Sequence, residues 1–344
     1  CCIRPDYSPV ICVDYRRVVA AADSHPTVLG TQTALVSIVM PIKSKRTLMR
    51  TIIACIVALL LFVIAVVIYG VVHNQQATRT GSLCAEYGIP ADDPRSNPEP
   101  LPETDETGEN REVAPDNSIK MNQSLDVHGI RSRYHVFARG VDFSKPVGVV
   151  MRLHGDGAYE YDHPEGLLNC MASVAASHNM ILVAPRTPDH EGTRTWWENI
   201  GESSEWLTGL ISRLREDYDN VDTHNMWWMG YSGGAELISY GLLAQEPENI
   251  TAGAIMIGGG GAPTDKPDPA PALNARLPLY WYVGSKDNGK DPRSTFNALN
   301  AANNGAHWYR SRGYDNVQEH VIDGDDHFSI PQAKILDDVL NNQK

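Results

Sequence analysis

From about Met121 onward, short apolar runs alternate with longer amphipathic stretches. Eight runs fit strands, because each is a continuous or alternating apolar segment bounded by turn residues: Ser124–Val127, Arg133–Ala138, Val147–Leu153, Met180–Ala184, Met226–Met229, Ala252–Ile257, Leu279–Val283 and Val317–Ile322. The stretches between them fit helices: Gly166–His178, Ser203–Tyr218, Gly234–Ala244, Asp291–Tyr309 and Pro331–Asn341. This alternation predicts one α/β domain over 121–344, with an antiparallel entry hairpin and a mostly parallel eight-stranded sheet flanked by helices.

A different pattern occupies residues 52–72, which read IIACIVALLLFVIAVVIYGVV and carry no charge. About 20 such residues cross the hydrocarbon of a bilayer as one helix, so we predict an uncleaved transmembrane signal-anchor helix here. Four basic residues precede it between positions 43 and 50, and only Arg79 follows closely. The positive-inside rule therefore places residues 1–51 in the cytoplasm and the folded domain outside the cell membrane, as a single-pass protein. A cleaved signal peptide is the alternative, and the style of the anchor favours a bacterial source.

Two less ordered segments flank this span. The chain begins with Cys1, whereas Met40 opens an ordinary basic n-region. Either Met40 is the true start of translation, or residues 1–39 form a short cytoplasmic tail. Residues 73–120 are rich in proline and acidic residues and lack apolar periodicity, which predicts an extended extracytoplasmic linker.

The overall charge excludes one class of partner. The chain has 29 Lys and Arg against 42 Asp and Glu, a formal net charge of −13. A nucleic-acid binder needs a basic face, so we expect no nucleic-acid partner. The six cysteines show no paired metal-ligand spacing and no H-E-x-x-H motif occurs, so we predict neither a metal site nor another cofactor.

The segment Gly230–Gly234 reads GYSGG, a G-x-S-x-G motif directly after an apolar strand and directly before a helical pattern. A serine on such a strand-to-helix turn is exposed as a nucleophile, so we predict that Ser232 is catalytic. Asp287 and His327 each follow a later predicted strand. The chain order is thus Ser, Asp, His, as a triad on this type of sheet requires. The rivals are His320 for the histidine, and Asp291, Asp325 and Asp326 for the carboxylate.

The segment HGDG at 154–157 follows the third predicted strand. Such a loop supplies main-chain N–H groups to the oxyanion of a tetrahedral intermediate, together with the N–H of the residue after the nucleophile. We predict an oxyanion hole from Gly233, Asp156 and Gly155. A carboxylate so close to an oxyanion would be repulsive, so we expect the Asp156 side chain to point away and brace the loop.

On HGDG, GYSGG and the approach EWLTGLISRLREDYDNVD to the nucleophile strand, the chain resembles the α/β-hydrolase superfamily over 121–344. Within it, the chain is similar to extracellular esterases of the polyhydroxybutyrate-depolymerase-like or feruloyl-esterase-like group. This resemblance implies a serine esterase acting on a small or polymeric ester. It departs from that group at Gly233, where an asparagine is common, and at Asp326, where a glycine commonly precedes the histidine.

Aromatic residues near these loops are candidates for substrate binding, namely Tyr159, Tyr161, Tyr231 and Trp197. The stretch between Gly261 and Leu277 is too short for a helical cap domain, which predicts an open cleft. Cys84 and Cys170 either form a disulfide or remain a mobile and a buried thiol. Acyl transfer to a cell-envelope acceptor and a catalytically silent binding module are the alternative functions, and the sequence predicts no oligomeric state.

Overall fold

The computed structural model of the chain describes residues 82–111, 117–190, 192–263 and 274–342. Within these ranges, no helix has both the length and the apolar composition of a membrane span. The predicted cytoplasmic segment 1–51 and transmembrane helix 52–72 lie outside the described residues. The described residues belong to one compact unit, which begins at Arg79.

Eight strands form one sheet in the order β1-β2-β4-β3-β5-β6-β7-β8. β1 pairs with β2, and β2 with β4, in antiparallel register, whereas every other pair is parallel. This arrangement confirms the predicted α/β-hydrolase-like fold with a mostly parallel eight-stranded sheet. The strands are β1 (Ile119–Val127), β2 (Ile130–Phe137), β3 (Val147–Leu153), β4 (Met180–Pro185), β5 (Val221–Tyr231), β6 (Gly253–Ile257), β7 (Leu279–Gly284) and β8 (Val317–Ile322).

Helices cover both faces of the sheet. They are α1 (Tyr159–Asp162), α2 (Leu167–Ser177), α3 (Ile200–Asp217), α4 (Gly233–Leu237), α5 (Leu243–Gln245), α6 (Ala298–Ser311) and α7 (Gln332–Asn341), and a π-helical turn, Ile238–Leu242, joins α4 to α5. Helices α3, α4 and α6 pack on one apolar core, and α2 and α7 pack on the other. The central strands β3, β4 and β6 are buried at every residue, because parallel strands covered on both faces need apolar side chains on both.

Several boundaries differ from the prediction, including the start of β5, which is Val221 rather than Met226. β1 begins at Ile119 rather than at Ser124, with a bulge between Lys120 and Gln123 that the apolar pattern does not reveal. α6 begins at Ala298 rather than at Asp291, because Asn297 caps it by accepting the N–H of Asn300 at 3.0 Å. The preceding residues instead form a loop at the carboxyl edge of the sheet.

The prediction of an extended linker over 73–120 is wrong for residues 82–101, which pack against the folded domain. Cys84 and Ile89 are 0% and 2% exposed, and a disulfide joins Cys84 to Cys170 in α2. Arg95 forms a bidentate ion pair with Asp337 in α7, with 2.6 Å from Nη1 to Oδ1 and 2.9 Å from Nη2 to Oδ2. These tertiary contacts order a segment whose composition alone would leave it extended. We call residues 82–97 the strap.

Candidate active site

Ser232 lies on a sharp turn between β5 and α4. Its backbone has φ 52° and ψ −117°, a conformation that costs a non-glycine residue free energy and that the surroundings must enforce. The Ser232 N–H donates to the carbonyl of Ile257 at the end of β6, at 2.8 Å. A Cβ at Gly230 would collide with the backbone of Gly234, and one at Gly234 would lie 2.7 Å from the carbonyl oxygens of Leu153 and His154. The two glycines of the motif therefore permit the turn that presents the serine.

A continuous hydrogen-bond chain runs from Ser232 through His327 to Asp287. The Ser232 hydroxyl lies 3.0 Å from His327 Nε2, and His327 Nδ1 lies 2.7 Å from Asp287 Oδ2. Asp287 can only accept from the ring, so Nδ1 carries the proton and Nε2 is left to accept from the serine. His327 and Asp287 are 6% and 3% exposed. The geometry is that of a nucleophile with its general base and the base's orienting carboxylate.

Three of the four rival residues have other partners. His320 lies on β8, where its ring stacks on Tyr282 with 4.4 Å between centroids. The carboxylate of Asp291 pairs with Arg293 at 2.5 Å. Asp326 pairs with the same guanidinium at 2.6 Å. Neither His320 nor these carboxylates therefore takes part in the hydrogen-bond chain to Ser232.

The loop that carries His327 is held from both sides. Asp326 Oδ1 accepts the N–H groups of Phe328 and Ser329 at 2.9 and 3.0 Å, while its other oxygen pairs with Arg293. The hydroxyl of Tyr231 donates to the carbonyl of His327 at 2.8 Å. Tyr231, next to Ser232 in the chain, thus fixes the backbone of His327, which keeps the imidazole aligned on Ser232.

Two main-chain N–H groups lie free beside the nucleophile. Among the described residues, neither the Asp156 nor the Gly233 N–H has a hydrogen-bond acceptor. The Gly155 N–H, by contrast, donates to Glu160 Oε2 at 3.2 Å. The inclusion of Gly155 in the predicted oxyanion hole is therefore wrong, because its N–H is already committed. The Asp156 and Gly233 N–H groups are the two beside Ser232 that are free to donate, as an oxyanion hole would require.

The Asp156 side chain was expected to point away from the site, but its carboxylate lies beside Ser232 and Gly233. It lies against Gly233, where a Cβ would collide with Oδ1, and it accepts from Trp197 Nε1, which is 3.3 Å from both oxygens. Burial against this wall raises the pKa of Asp156. An ionised Asp156 would oppose negative charge on a neighbouring oxyanion.

A buried arginine supports the HGDG loop from below. Arg152 is 1% exposed, and its guanidinium donates to Gln332 Oε1 at 2.6 Å and lies 3.5 Å from Glu160 Oε1. Glu160 is the residue that accepts the Gly155 N–H. The path from α7 through Arg152 and Glu160 to Gly155 therefore positions the loop that bears the Asp156 N–H.

Two cavities meet at Ser232, and both include Asp156 and Phe296. The Tyr87 cavity has about 790 Å³ and contains Tyr87, Tyr159, His163, His327 and Phe328. The Trp197 cavity has about 850 Å³ and contains Trp197, Glu198, Gly233, Glu236 and Tyr240. The nucleophile thus stands at the junction of an elongated cleft with room on each side for a substrate group.

Three of the four aromatic residues predicted to bind substrate line this cleft. Tyr159 and Tyr231 line the Tyr87 cavity, and Trp197 lines the other. Tyr161 does not. It is 4% exposed, stacks on His135 and donates its hydroxyl to Asn122 at 2.5 Å. Its position within the one-turn helix α1 directs it into the core, while Tyr159 on the same helix is 68% exposed.

Sequence reasoning missed several residues of the cleft. Phe328 follows His327 directly, so its position was a usable signal. Phe296 lies in the loop that was predicted as helix. Tyr87 lies in the strap, far from any motif, and no sequence signal connects it to the site.

No protein-family model matches the chain, and no curated protein matches it either. Among solved structures, it is similar to a poly(3-hydroxybutyrate) depolymerase from Bordetella parapertussis, at 14% identity over 65% of this chain and 91% of that chain, with a TM-score of 0.47. It is also similar to a feruloyl esterase module from Clostridium thermocellum complexed with sinapinate, at 12% identity over 71% and 95%, with a TM-score of 0.45. A thermostable esterase matches at 17% identity over 64% of this chain, with a TM-score of 0.45, and the chain spans 60% of that esterase's length. These neighbours are esterases and a polyester depolymerase, and at these identities the similarity concerns the fold alone.

Proposed function

We propose that this protein is a serine hydrolase that cleaves carboxylic esters through an acyl-enzyme formed on Ser232. The observation that carries the proposal is the hydrogen-bond chain from Ser232 through His327 to Asp287 at a strained strand-to-helix turn. Each group has the partner that its role in acyl transfer requires.

The reaction follows from these positions. Ser232 Oγ attacks the ester carbonyl while its proton passes to His327 Nε2, and the carbonyl oxygen becomes an oxyanion held by the N–H groups of Asp156 and Gly233. When the intermediate collapses, the imidazolium gives that proton to the departing alkoxide, and an acyl-enzyme remains. A water molecule then attacks the acyl carbonyl and gives a proton to His327. When this second intermediate collapses, the bond from Ser232 Oγ to the acyl carbon breaks, the imidazolium returns the proton to Ser232 Oγ, and the acid is released. Asp287 stabilises the imidazolium in both halves.

The cleft favours a bulky substrate. Four of its aromatic side chains are exposed between 37% and 68%: Tyr159, Trp197, Phe296 and Phe328. Exposed aromatic groups around a nucleophile provide flat apolar surface for a ligand. We therefore propose an ester with extended apolar or aromatic groups, either a small molecule or a segment of a polymer.

We also propose that the enzyme works outside the cell membrane, anchored by the apolar span 52–72. The basic residues before that span support this orientation. The disulfide between Cys84 and Cys170 supports it as well, since such bonds persist in oxidising compartments. Alkaline extraction of membranes, with protease treatment of intact cells, tests the anchor and its direction. Release of the chain by alkali would contradict the anchor.

The activity is tested with the full chain and p-nitrophenyl esters of two to twelve carbons. We expect the wild type to turn over and Ser232→Ala to lose at least about a thousandfold in kcat, because the acyl-enzyme cannot form. Asp287→Asn should keep the fold and lose most of kcat. A Ser232→Ala variant that retains wild-type turnover would contradict the proposal. Turnover that requires an added alcohol acceptor would instead favour acyl transfer.

A further inference from the structure

The two cavities beside Ser232 differ in the catalytic groups they contain. His327 lies in the Tyr87 cavity, whereas the Trp197 cavity contains Gly233. The imidazole must deliver its proton to the oxygen of the leaving alcohol, so that oxygen has to lie on the His327 side of the reacting carbon. The alcohol part of an ester then extends into the Tyr87 cavity, and the acyl part extends into the Trp197 cavity.

The outer wall of the Tyr87 cavity comes from the strap. A single 3₁₀ turn, Ala85–Tyr87, follows Cys84 and brings the Tyr87 ring to the cavity that holds Ser232 and His327. The ring packs at Gly166, where a Cβ would lie 2.6 Å from the Tyr87 hydroxyl. Burial and the neighbouring Glu86 raise the pKa of Tyr87, so its phenol presents a neutral face to a ligand.

The disulfide fixes this turn. The carbonyl of Cys84 accepts the N–H groups of Tyr87 and Ile89, each at 3.1 Å, and the Cys84 side chain is bonded to Cys170 in α2. The position of the Tyr87 backbone is thus tied to a buried cysteine pair.

The strap also packs against the start of α7, just after the loop that carries His327. Gly88 has φ 90°, and a Cβ there would lie 2.7 Å from the side chains of Pro331 and Lys334. Pro331 lies four residues after His327. Farther along, Arg95 holds the strap to Asp337. The strap is therefore a rigid wall with tethers on both sides of Tyr87.

We propose that Tyr87 is a specificity-determining residue for the alcohol part of the substrate, and that the Cys84–Cys170 disulfide holds it in place. The proposal rests on the esterase function proposed above. Tyr87 contacts an alcohol group long enough to leave the reaction centre, and it does not contact the acyl group. Loss of the Tyr87 ring lowers kcat/KM for esters of long or aromatic alcohols and leaves kcat/KM for esters of short alcohols unchanged.

The test uses the full chain and three esters: ethyl acetate, decyl acetate and ethyl decanoate, with acid release followed by titration at constant pH. For Tyr87→Ala we expect kcat/KM for decyl acetate to fall about three- to tenfold, the range for loss of one aromatic contact, while the other two esters change by less than about twofold. Trp197→Ala should show the opposite selectivity, with the loss on ethyl decanoate. Leu83→Ala, in the strap but outside the cleft, is the matched control and should behave as wild type.

The disulfide is tested by replacing both cysteines with serine. This variant should reproduce the selective loss on decyl acetate. An equal loss on all three esters in Tyr87→Ala, or no loss on any, would overturn the proposal. A loss confined to ethyl decanoate would overturn the assignment of the cavities.

A separate measurement distinguishes a wrong esterase assignment from a wrong assignment of Tyr87. If the wild type hydrolyses none of the three esters, the proposed function is wrong, and binding of decyl acetate measured by tryptophan fluorescence still tests the contact. A Kd about three- to tenfold weaker in Tyr87→Ala would support the Tyr87 contact. Equal Kd values for wild type and variant would overturn it.

Discussion

Two buried histidines should make the hydrolase domain unstable in mild acid. His135 is 3% exposed, and its Nδ1 accepts the N–H of Asn122 at 2.8 Å while Nε2 donates to the carbonyl of Tyr161 at 3.1 Å. The accepting nitrogen faces a main-chain N–H, so a second proton cannot be added without breaking that hydrogen bond. Burial is the largest cause that lowers the pKa of His135 to about 4.

His154, in the HGDG loop, is arranged in the same way. Its Nδ1 donates to the carbonyl of Gly155 at 2.6 Å, and Nε2 accepts the N–H of Thr187 at 3.0 Å. Burial again is the largest cause, and it lowers the pKa of His154 to about 3. This histidine holds the HGDG loop as a neutral group, with both ring nitrogens bonded to the main chain.

The magnitude follows from proton linkage. A histidine in the unfolded chain has a pKa near ~6.5, so at pH ~4.5 it has taken up its proton, while the folded chain still holds both rings neutral. The unfolded state then binds more protons, and stability falls with pH. At pH ~4.5 each histidine lowers the free energy of unfolding by about 2.5 kcal/mol, and the pair by about 5 kcal/mol, against a total of about 5–15 kcal/mol for a typical domain. This stability is present above pH ~6.5 and is lost as the pH falls toward the folded pKa values.

Burial also lowers the pKa of His320, so that histidine adds to the loss of stability in the same window. Some carboxyl groups act below this window or oppose the effect. Ion pairing with Arg95 and Lys145 lowers the pKa values of Asp93 and Asp142 to about 2, so those carboxylates lose their contribution only below pH ~4. Burial raises the pKa of Glu236. The folded state therefore takes up this proton more readily than the unfolded state, which increases stability as the pH falls.

The assay is urea unfolding of the full chain at pH 7.0, 6.0, 5.0 and 4.5. Tryptophan fluorescence reports on the hydrolase domain, because all seven tryptophans lie between 196 and 308. We expect His135→Gln to show about half of the wild-type pH dependence, whatever its absolute stability. Replacement of the exposed His224 by glutamine is the control and should keep the full dependence. A free energy of unfolding that stays constant from pH 7 to 4.5, or a His135→Gln variant with the wild-type slope, would refute the reasoning.

Three further outcomes are expected. Replacing Cys84 and Cys170, which are 86 residues apart, by serine should lower the free energy of unfolding by about 4 kcal/mol in urea melts; an unchanged midpoint would contradict this. Asp156→Asn should raise kcat several-fold above neutral pH by removing charge beside the oxyanion, whereas a fall in kcat would show that the carboxylate has another role. Glu160→Gln should cost about 3 kcal/mol by leaving the Arg152 charge without its buried counter-ion, and a rise in stability would contradict that.

Much of the fold was predictable because its central strands are buried on both faces. VGVVMRL in β3 and MILVAP in β4 are runs that need no periodicity to be recognised as core strands. The order of Ser232, Asp287 and His327 followed from a local rule that places each at a strand end. The structure brings these three side chains together.

The remaining features depend on contacts between distant residues. Cys84 is held by a disulfide to Cys170, which lies 86 positions later in the chain. Arg95 is held by an ion pair with Asp337, which lies 242 positions later. Composition describes only the chain near each residue, so it predicted an extended linker there. Tyr161 and Tyr159 lie two residues apart, and only the docking of α1 on the sheet decides which of them faces the cleft.

The order of the catalytic groups along the chain has a consequence for biosynthesis. Ser232 is synthesised 95 residues before His327, which corresponds to about 5–20 s of translation. Gln332, which holds Arg152 beneath the oxyanion loop, is made later still. The growing chain therefore carries the proposed nucleophile before the proposed base and before the support of the HGDG loop. In the proposed mechanism, reactivity toward esters therefore requires that the last strand and helix have been made and have docked.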